Sequence, residues 1–266
     1  KKNGIVSADL DSELLLSNVI NKTREYLIIN LTESIDVKNL KKFENLIERR
    51  KKNEPIAYIL KKKDFWKSTF HVDNNVLIPR PDTEILIEEI ISSYPKNKKL
   101  SVLDIGTGSG CILLSILKEF TKFYGTGIDI SKNALKIARF NAKMHHLENR
   151  ARFFKSSVDN FFKGKYDLIV SNPPYIEESK LKYLEKEINN YEPMLALKGG
   201  NDGLSLIRRV VKRSSKLLKK SGKLYLEIGY DQKFRVKSIL EKENFYVNKT
   251  VKDYGKNNRC IVCTKI

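Results

Sequence analysis

The sequence predicts an α/β protein: an open, largely parallel sheet with helices on both faces, preceded by a small helical domain and a β-hairpin. Three observations predict it. Beyond residue 80, short β-branched apolar runs alternate with stretches of helical period, the pattern of a doubly wound sheet. Before residue 65 only helical periodicity is present. Between the two, aromatic and β-branched residues surround the turn signal Asp73-Asn74-Asn75, which reads as a hairpin. The chain has 266 residues, of which 41% are hydrophobic, ample for a packed core.

The elements follow in order. Leu10, Leu14, Leu15, Val19 and Ile20 recur at helical spacing after Asp9, Leu27, Ile28 and Leu31 follow, and Leu40, Phe43, Leu46 and Ile47 repeat the pattern. Basic clusters at 49–52 and 61–63 flank the short packed element Pro55-Ile56-Ala57-Tyr58-Ile59. The expected organisation is a helical substrate-docking domain over 1–64, a hairpin linker over 65–79 and a second domain over 80–266. In that domain strands are expected at 100–105, 124–130, 152–155, 168–171, 223–228 and 259–264, with helices at 83–92, 110–120, 133–145, 203–218 and 233–241. Sheets of this kind bind ligands beyond the carboxyl ends of their strands, so the chemistry is expected in those loops.

The first strand runs into Asp104-Ile105-Gly106-Thr107-Gly108-Ser109-Gly110. Glycines there let the backbone turn tightly and let a ligand approach the main chain. Such a string alone also fits a dinucleotide, whose pyrophosphate sits on a helix N-terminus. The second strand ends in Asp129, about 20 residues on, where a carboxylate accepts both hydroxyls of a ribose. Asp104 adds negative charge beside the loop. An acidic loop favours a cationic ligand over a pyrophosphate, and S-adenosylmethionine carries both a sulfonium and an amino group.

The fourth strand runs straight into Asn172-Pro173-Pro174-Tyr175. Two prolines fix φ and withdraw two backbone donors, leaving carbonyls without competing N–H groups in a stiff, extended loop. Asn172 adds a side-chain acceptor. Asn172 and the Pro173 carbonyl form an acceptor pair suited to the two hydrogens of a planar NH2 group. Holding both hydrogens turns the nitrogen lone pair toward an electrophilic methyl, a preorganised electrostatic effect. Tyr175 is placed to pack against the planar group that carries the nitrogen.

Lys and Arg number 51 against 32 Asp and Glu, a formal charge of +19, which draws a protein toward polyanions such as RNA. Cys111, Cys260 and Cys263 are few and odd in number, as in a reducing compartment. Cys260 and Cys263 lie three apart on an expected strand, so their thiols point to opposite faces and no metal or redox site is expected. No apolar run approaches the ~20 residues of a membrane span, and no signal-peptide core follows residues 1–4. A cytoplasmic protein is expected.

Together these stretches resemble the PrmC/HemK family of protein-glutamine N5-methyltransferases. The resemblance covers nearly the whole chain: Asp11-Ser12-Glu13-Leu14-Leu15-Leu16, the Pro55 to Ile59 element, Ile78-Pro79-Arg80-Pro81-Asp82-Thr83-Glu84, the 104–110 loop, Asn172 to Tyr175, and Tyr191-Glu192-Pro193 with Gly199, Gly200 and Gly203. The glycine loop is shared by methyltransferases at large, and Asn-Pro-Pro-Tyr by enzymes that methylate adenine N6; the phrase at 78–84 is the specific part. The resemblance implies a Rossmann-like class I S-adenosylmethionine-dependent methyltransferase acting on the glutamine of the Gly-Gly-Gln loop of peptide-chain release factors. Gly106, Thr107, Gly108, Ser109, Gly110, Asp129, Ser157, Val158 and Asn172 would bind the cofactor. Asn172, Pro173, Pro174 and Tyr175 would hold the glutamine, and Arg80 would either reach the substrate or brace the fold. The chain departs from the family in three places. Asn53 and Lys61 replace glycines around the Pro55 element, Ser156-Ser157-Val158 stands where an acid commonly meets adenine, and His71 takes a hairpin position that is often aromatic. Two other readings are an adenine N6-methyltransferase on DNA or RNA and a non-enzymatic basic RNA-binding protein. The first is expected to carry a large target-recognition insert, which the moderate loop at 176–201 does not provide; the second predicts binding that collapses with salt.

Overall fold

The computed structural model describes residues 5–266; residues 1–4 of the expected helical domain lie outside the described residues. Four helices come first: α1 (Ala8–Ile20), α2 (Arg24–Ile29), α3 (Val37–Lys51) and α4 (Ile56–Leu60). Their ends follow from local chemistry. Asp36 caps α3 by accepting from Asn39 N at 2.9 Å, and Arg49, Arg50 and Lys51 occupy its last turn, where positive charge meets the helix dipole. Arg50 is buried between Asp11 of α1 at 2.7 Å and Glu187 at 2.9 Å. That ion pair ties the helical domain to the second one, because Glu187 lies in a later helix.

The hairpin pairs β1 (Lys62–Phe65) with β2 (Ser68–His71), and Phe65 lies opposite Ser68. Its turn is therefore at Trp66-Lys67, with Trp66 in the left-handed region at φ 55°. Asp73-Asn74-Asn75 makes a separate turn after β2, in which Asp73 Oδ1 accepts from Asn75 N at 2.9 Å. The Asx signal was a real turn, but Trp66-Lys67 supplied the hairpin.

The second domain contains α5 (Glu84–Ser93), β3 (Ser101–Ile105), α6 (Cys111–Glu119), β4 (Tyr124–Asp129), α7 (Lys132–Met144), β5 (Ala151–Lys155), β6 (Tyr166–Ser171), α8 (Lys186–Tyr191), α9 (Ser205–Leu217), β7 (Leu218–Glu227), α10 (Lys233–Lys242), β8 (Phe245–Lys252) and β9 (Asn258–Lys265). The seven strands run in the order β5-β4-β3-β6-β7-β9-β8, parallel except that β9 is antiparallel to both its neighbours. This is the Rossmann-like class I methyltransferase fold that the sequence predicts. Strand β8 was not foreseen: as the edge strand it is mostly exposed, and its Lys and Asn residues mask the alternation that marks a half-buried strand.

Period-two alternation divides the core. Val102, Leu168, Val170, Tyr225 and Cys260 pack on one side of the sheet with Leu86, Leu113 and Ala138. Leu103, Ile169, Leu224, Leu226 and Cys263 pack on the other with Ile207, Val210 and Val236. The two thiols thus face opposite layers, as their spacing requires. The first crossover reverses at β3 and β6, which opens a crevice at their carboxyl ends.

Candidate active site

The loop after β3 is built to leave room. Gly106, Gly108 and Gly110 have φ of 77°, 53° and 81°, a region costly for side-chain-bearing residues. A Cβ added at Gly106 or Gly108 would meet nothing within 4 Å, so open space lies directly over the backbone. The loop is tied to the second strand by Gly106 N and Thr107 N, which donate to Ile128 O at 2.9 and 3.0 Å. Asp129 accepts from Gly108 N at 3.0 Å and Ser131 N at 2.8 Å, leaving each carboxylate oxygen further lone-pair capacity. Burial raises its pKa, opposed by those backbone donors.

Asp104 is fully buried beneath the glycines. Its Oδ2 accepts from the Thr107 hydroxyl at 2.7 Å, while Oδ1 has no partner among the described residues. Burial pushes its pKa up to about 7, opposed by Thr107 and reinforced by the charge of Asp129. A buried orphan acceptor at the base of an open loop is an address for a donor that the protein itself does not supply. Asn141 was not anticipated: its side chain accepts from His71 N at 2.8 Å and donates to His71 O at 3.0 Å and Ser109 O at 2.8 Å. It locks the hairpin and the glycine loop to α7. The signal was a single Asn among the apolar residues of the buried face of that helix.

On the other side of the crevice, Ser171 lies opposite Leu226, so the loop after β6 emerges beside Glu227. Asn172 Nδ2 donates to the Thr83 hydroxyl at 3.1 Å, which leaves the carbonyl end of the amide as the free acceptor. The Tyr175 hydroxyl donates to Glu227 Oε1 at 3.3 Å and accepts from Arg259 at 3.4 Å. Those bonds pin the ring by its far end, and burial raises the phenol pKa. Two glycines let the 199–203 turn lie against this loop: a Cβ at Gly199 would stand 2.8 Å from Tyr175 backbone, and one at Gly203 2.5 Å from Tyr175 O.

The phrase at 78–84 is a set of braces, each reaching a different part of the chain. Arg80 ion-pairs with buried Glu192, which also accepts from Ile78 N at 3.2 Å. Asp82 meets Arg259 at 3.2 Å, Thr83 meets Asn172, and Glu84 accepts from Trp66 N at 2.8 Å. The pair with Glu192 supports the bracing role among the two open to Arg80. Glu227, Arg259 and Asp253, which pairs with Arg259 at 2.9 Å, were missed. The trace of Glu227 was a lone acid closing the apolar run Leu224-Tyr225-Leu226.

The three departures also resolve. Asn53 and Lys61 adopt φ of 63° and 55°, so the glycine-type turns persist without glycine. The His71 ring packs edge-to-face on Phe140 at 5.0 Å. After β5, Val158 is buried and Ser157 half-buried, and Ser156 N is bonded to Asp129 O at 3.0 Å. Asp159 pairs with Arg209 at 2.7 Å, away from the role an acid commonly takes there.

Comparison with known proteins decides the family. The family described as Methyltransferase small domain matches residues 81–199, and the PrmC N-terminal domain matches residues 1–60. The Release factor glutamine methyltransferase of Clostridium acetobutylicum is 40% identical over 96% of this chain and 90% of its own length. That of Buchnera aphidicola from Acyrthosiphon pisum is 41% identical, covering 96% and 91%. The chain belongs to the release factor glutamine methyltransferase family. It also matches the longer Bifunctional methyltransferase of Rickettsia felis at 37% identity, spanning 56% of that protein. Among solved structures, a methyltransferase from Pyrococcus furiosus shares the fold, with a TM-score of 0.57 at 20% identity over 84% of this chain and 98% of the other.

The cofactor of this methyltransferase family is S-adenosylmethionine, and the residues present fit it. Asp104 Oδ1 lacks a donor and sits where an ammonium or sulfonium is favoured. The space over Gly106 and Gly108 admits a ligand against the main chain, and Asp129 retains lone pairs for ribose hydroxyls.

Proposed function

We propose that this chain transfers a methyl group from S-adenosylmethionine to the side-chain amide nitrogen, N5, of the glutamine in the Gly-Gly-Gln motif of peptide-chain release factors. The observation that carries this reading is the Asn172 amide. Its nitrogen is consumed by Thr83, so its oxygen is presented next to the carbonyl of Pro173. S-adenosylmethionine supplies a sulfonium-bound methyl, an electrophile that leaves a neutral thioether behind. An amide nitrogen is a poor nucleophile because its lone pair is delocalised into the carbonyl. Asn172 Oδ1 and the Pro173 carbonyl accept one hydrogen each and favour a pyramidal nitrogen, aiming its lone pair out of the amide plane. They also offset the positive charge that grows on nitrogen as the N–C bond forms and the C–S bond breaks. The nitrogen then loses one proton to solvent. Orientation of this quality contributes about 7–11 kcal/mol of barrier reduction, so no strong base is required.

The helical domain supports a protein substrate. Ile28, Ile29, Leu31, Val37 and Leu40 are all exposed on it, an apolar surface that a small soluble domain does not normally leave bare. Docking there brings the Gly-Gly-Gln loop to the crevice, and the basic surface adds long-range attraction to polyanionic partners such as RNA. Among the described residues no helix is long and apolar enough to cross a membrane.

The test is incubation with methyl-labelled S-adenosylmethionine and purified release factor, followed by fragmentation mass spectrometry of the Gly-Gly-Gln peptide. Label on the glutamine side-chain nitrogen is expected. Label on another residue, or transfer only to nucleic acid, contradicts the reading.

A further inference from the structure

The layer of the sheet opposite the hairpin carries a charge pattern that the methyl-transfer crevice does not use. Residues 203–226 hold eight Lys or Arg and no Asp or Glu. Helix α9 buries Ile207, Val210, Val211 and Leu217 against the sheet, so its basic residues fall on the outward face by helical period. Arg208, Arg209 and Lys212 of α9 and Lys242 of α10 line a groove of about 360 Å³, together with Ile239 and one acid, Glu243. Arg208 pairs with Asp202 and Arg209 with Asp159, whereas Lys212 and Lys242 have no ion-pair partner among the described residues. The chain uses 12 Arg against 39 Lys, yet three of the twelve stand at 208, 209 and 213. A lysine-rich composition supplies charge anywhere; arginine adds a planar fork for phosphate and a flat face for stacking.

Beside this helix, aromatic rings stand in solvent among the cations. Phe161 is buried, but its neighbour Phe162 is 70% exposed. The Arg213 guanidinium lies 4.1 Å from the Phe162 ring centroid and donates to Asp159 O, so one face of the ring is covered and held while the other is left open. Phe154, exposed on the edge strand β5, has Lys163 over its ring at 5.8 Å and leans on Phe161 at 6.3 Å. Arg152 and Lys155 of the same strand are also exposed. A single exposed ring is ordinary. Rings interleaved with cations beside a basic groove are what binds unpaired nucleotides, with bases on the rings and phosphates on the cations.

We propose that this face, from β5 across the 160–163 loop to the α9–α10 groove, is a binding site for single-stranded RNA. A duplex offers phosphates but no free base faces, so it would engage the cations alone. An anionic membrane needs an apolar face to insert, and that of α9 is buried in the core. An acidic protein segment would leave the open face of Phe162 unused. The choice of RNA over DNA rests on the function proposed above, whose substrate works in translation. Phe65 and Phe70 of the hairpin pack in the other layer of the core with α6, whereas α9 and α10 cover this one, so the RNA face lies apart from the hairpin side of the molecule.

The experiment is fluorescence anisotropy of the full-length protein, without cofactor or release factor, on a labelled oligouridine, the matching oligothymidine, an RNA duplex of equal length and heparin. Wild type should bind oligouridine best, with a Kd on the order of 10⁻⁶ M at physiological salt. Phe162→Leu keeps apolar bulk but has no π face; it should weaken oligouridine binding about tenfold and leave heparin binding unchanged, and Phe162→Trp should restore the wild-type value. Lys212→Glu combined with Lys242→Glu should weaken both ligands about tenfold and flatten the slope of log K against log salt by about 1.4, the share of two single-strand phosphates. Lys136→Glu combined with Lys143→Glu makes the same charge change on exposed positions of α7, in the other layer; it should cost less than about twofold, since distant exposed charges are screened. The proposal is overturned if wild type does not bind oligouridine, if Phe162→Leu binds it like wild type, or if the α7 pair costs as much as the groove pair. It is equally overturned if oligothymidine, the duplex or phosphatidylserine-containing vesicles bind more tightly than oligouridine. No methyl transfer enters these assays, so failure of the glutamine reading shows separately, in the labelled-peptide test.

Discussion

The two loops that face each other across the crevice are built on opposite plans. The loop after β3 uses glycines in left-handed conformations over empty space, and its shape comes from backbone bonds to Ile128 and Asp129. The loop after β6 uses two prolines; its side chains are held by Thr83, Glu227 and Arg259, and its backbone by Gln232, which donates to Tyr175 O at 3.0 Å. Each has a buried carboxyl behind it with a pKa pushed to about 7 by burial. Each carboxyl keeps one buried oxygen without a hydrogen-bond partner among the described residues, and the other oxygen accepts from Thr107 in Asp104 and from Tyr175 in Glu227. A loop that must admit a large cation is made of freedom; one that must orient a single amide is made of stiffness and side-chain braces.

This contrast predicts separable defects, the largest first. Asn172→Ala should lower kcat by about 10³-fold with cofactor affinity unchanged in calorimetry; a parallel loss of affinity would join the two halves. Arg80→Ala should leave Glu192 buried, with the 3.2 Å contact to Ile78 N as its remaining hydrogen bond, and reduce stability by about 2 kcal/mol in urea unfolding. Gly108→Ala forces a Cβ into φ 53° and into the ligand's space. It should weaken cofactor binding by about tenfold, the size of a 1–2 kcal/mol strain, while kcat at saturating cofactor holds.

The carboxyls sharpen the comparison through pH. A carboxyl whose pKa is higher folded than unfolded holds an extra proton in the folded state, so the stability it contributes is full below about pH 4 and lost as pH rises through about 7. Thermal scans should show Asp104→Asn removing part of that decline and Glu227→Gln another part. Cofactor affinity should do the reverse, rising from pH 6 to 8 as Asp104 ionises opposite a cation, and Asp104→Asn should flatten that rise. Smallest is Lys61→Gly, outside both loops: relieving φ 55° should add about 1 kcal/mol without altering kinetics.

The same contrast explains what was legible in the sequence. The glycine loop, Asp129 and Asn172 to Tyr175 are contiguous, and their chemistry is local, so residue type and spacing revealed them. Glu227, Arg259 and Asp253 reach the acceptor loop only through the order in which β6, β7 and β9 pair. No spacing rule joins residue 83 to residue 172. Strand β8 escaped because an exposed edge does not require an apolar face, and the hairpin was misplaced by a residue pair, Asp73-Asn74, that does make a turn. Asn53 and Lys61 taught the converse: a glycine-type turn survives the loss of glycine when packing around Tyr58, whose hydroxyl bonds Val76 O at 2.6 Å, holds the chain there.

The most direct test is a crystal structure with S-adenosylhomocysteine and a Gly-Gly-Gln peptide bound. The glutamine side-chain nitrogen should lie roughly 3 Å from both Asn172 Oδ1 and the Pro173 carbonyl, with its open face toward the sulfur. A glutamine oxygen in that position, or an Asn172 amide turned to offer its nitrogen, would contradict the account.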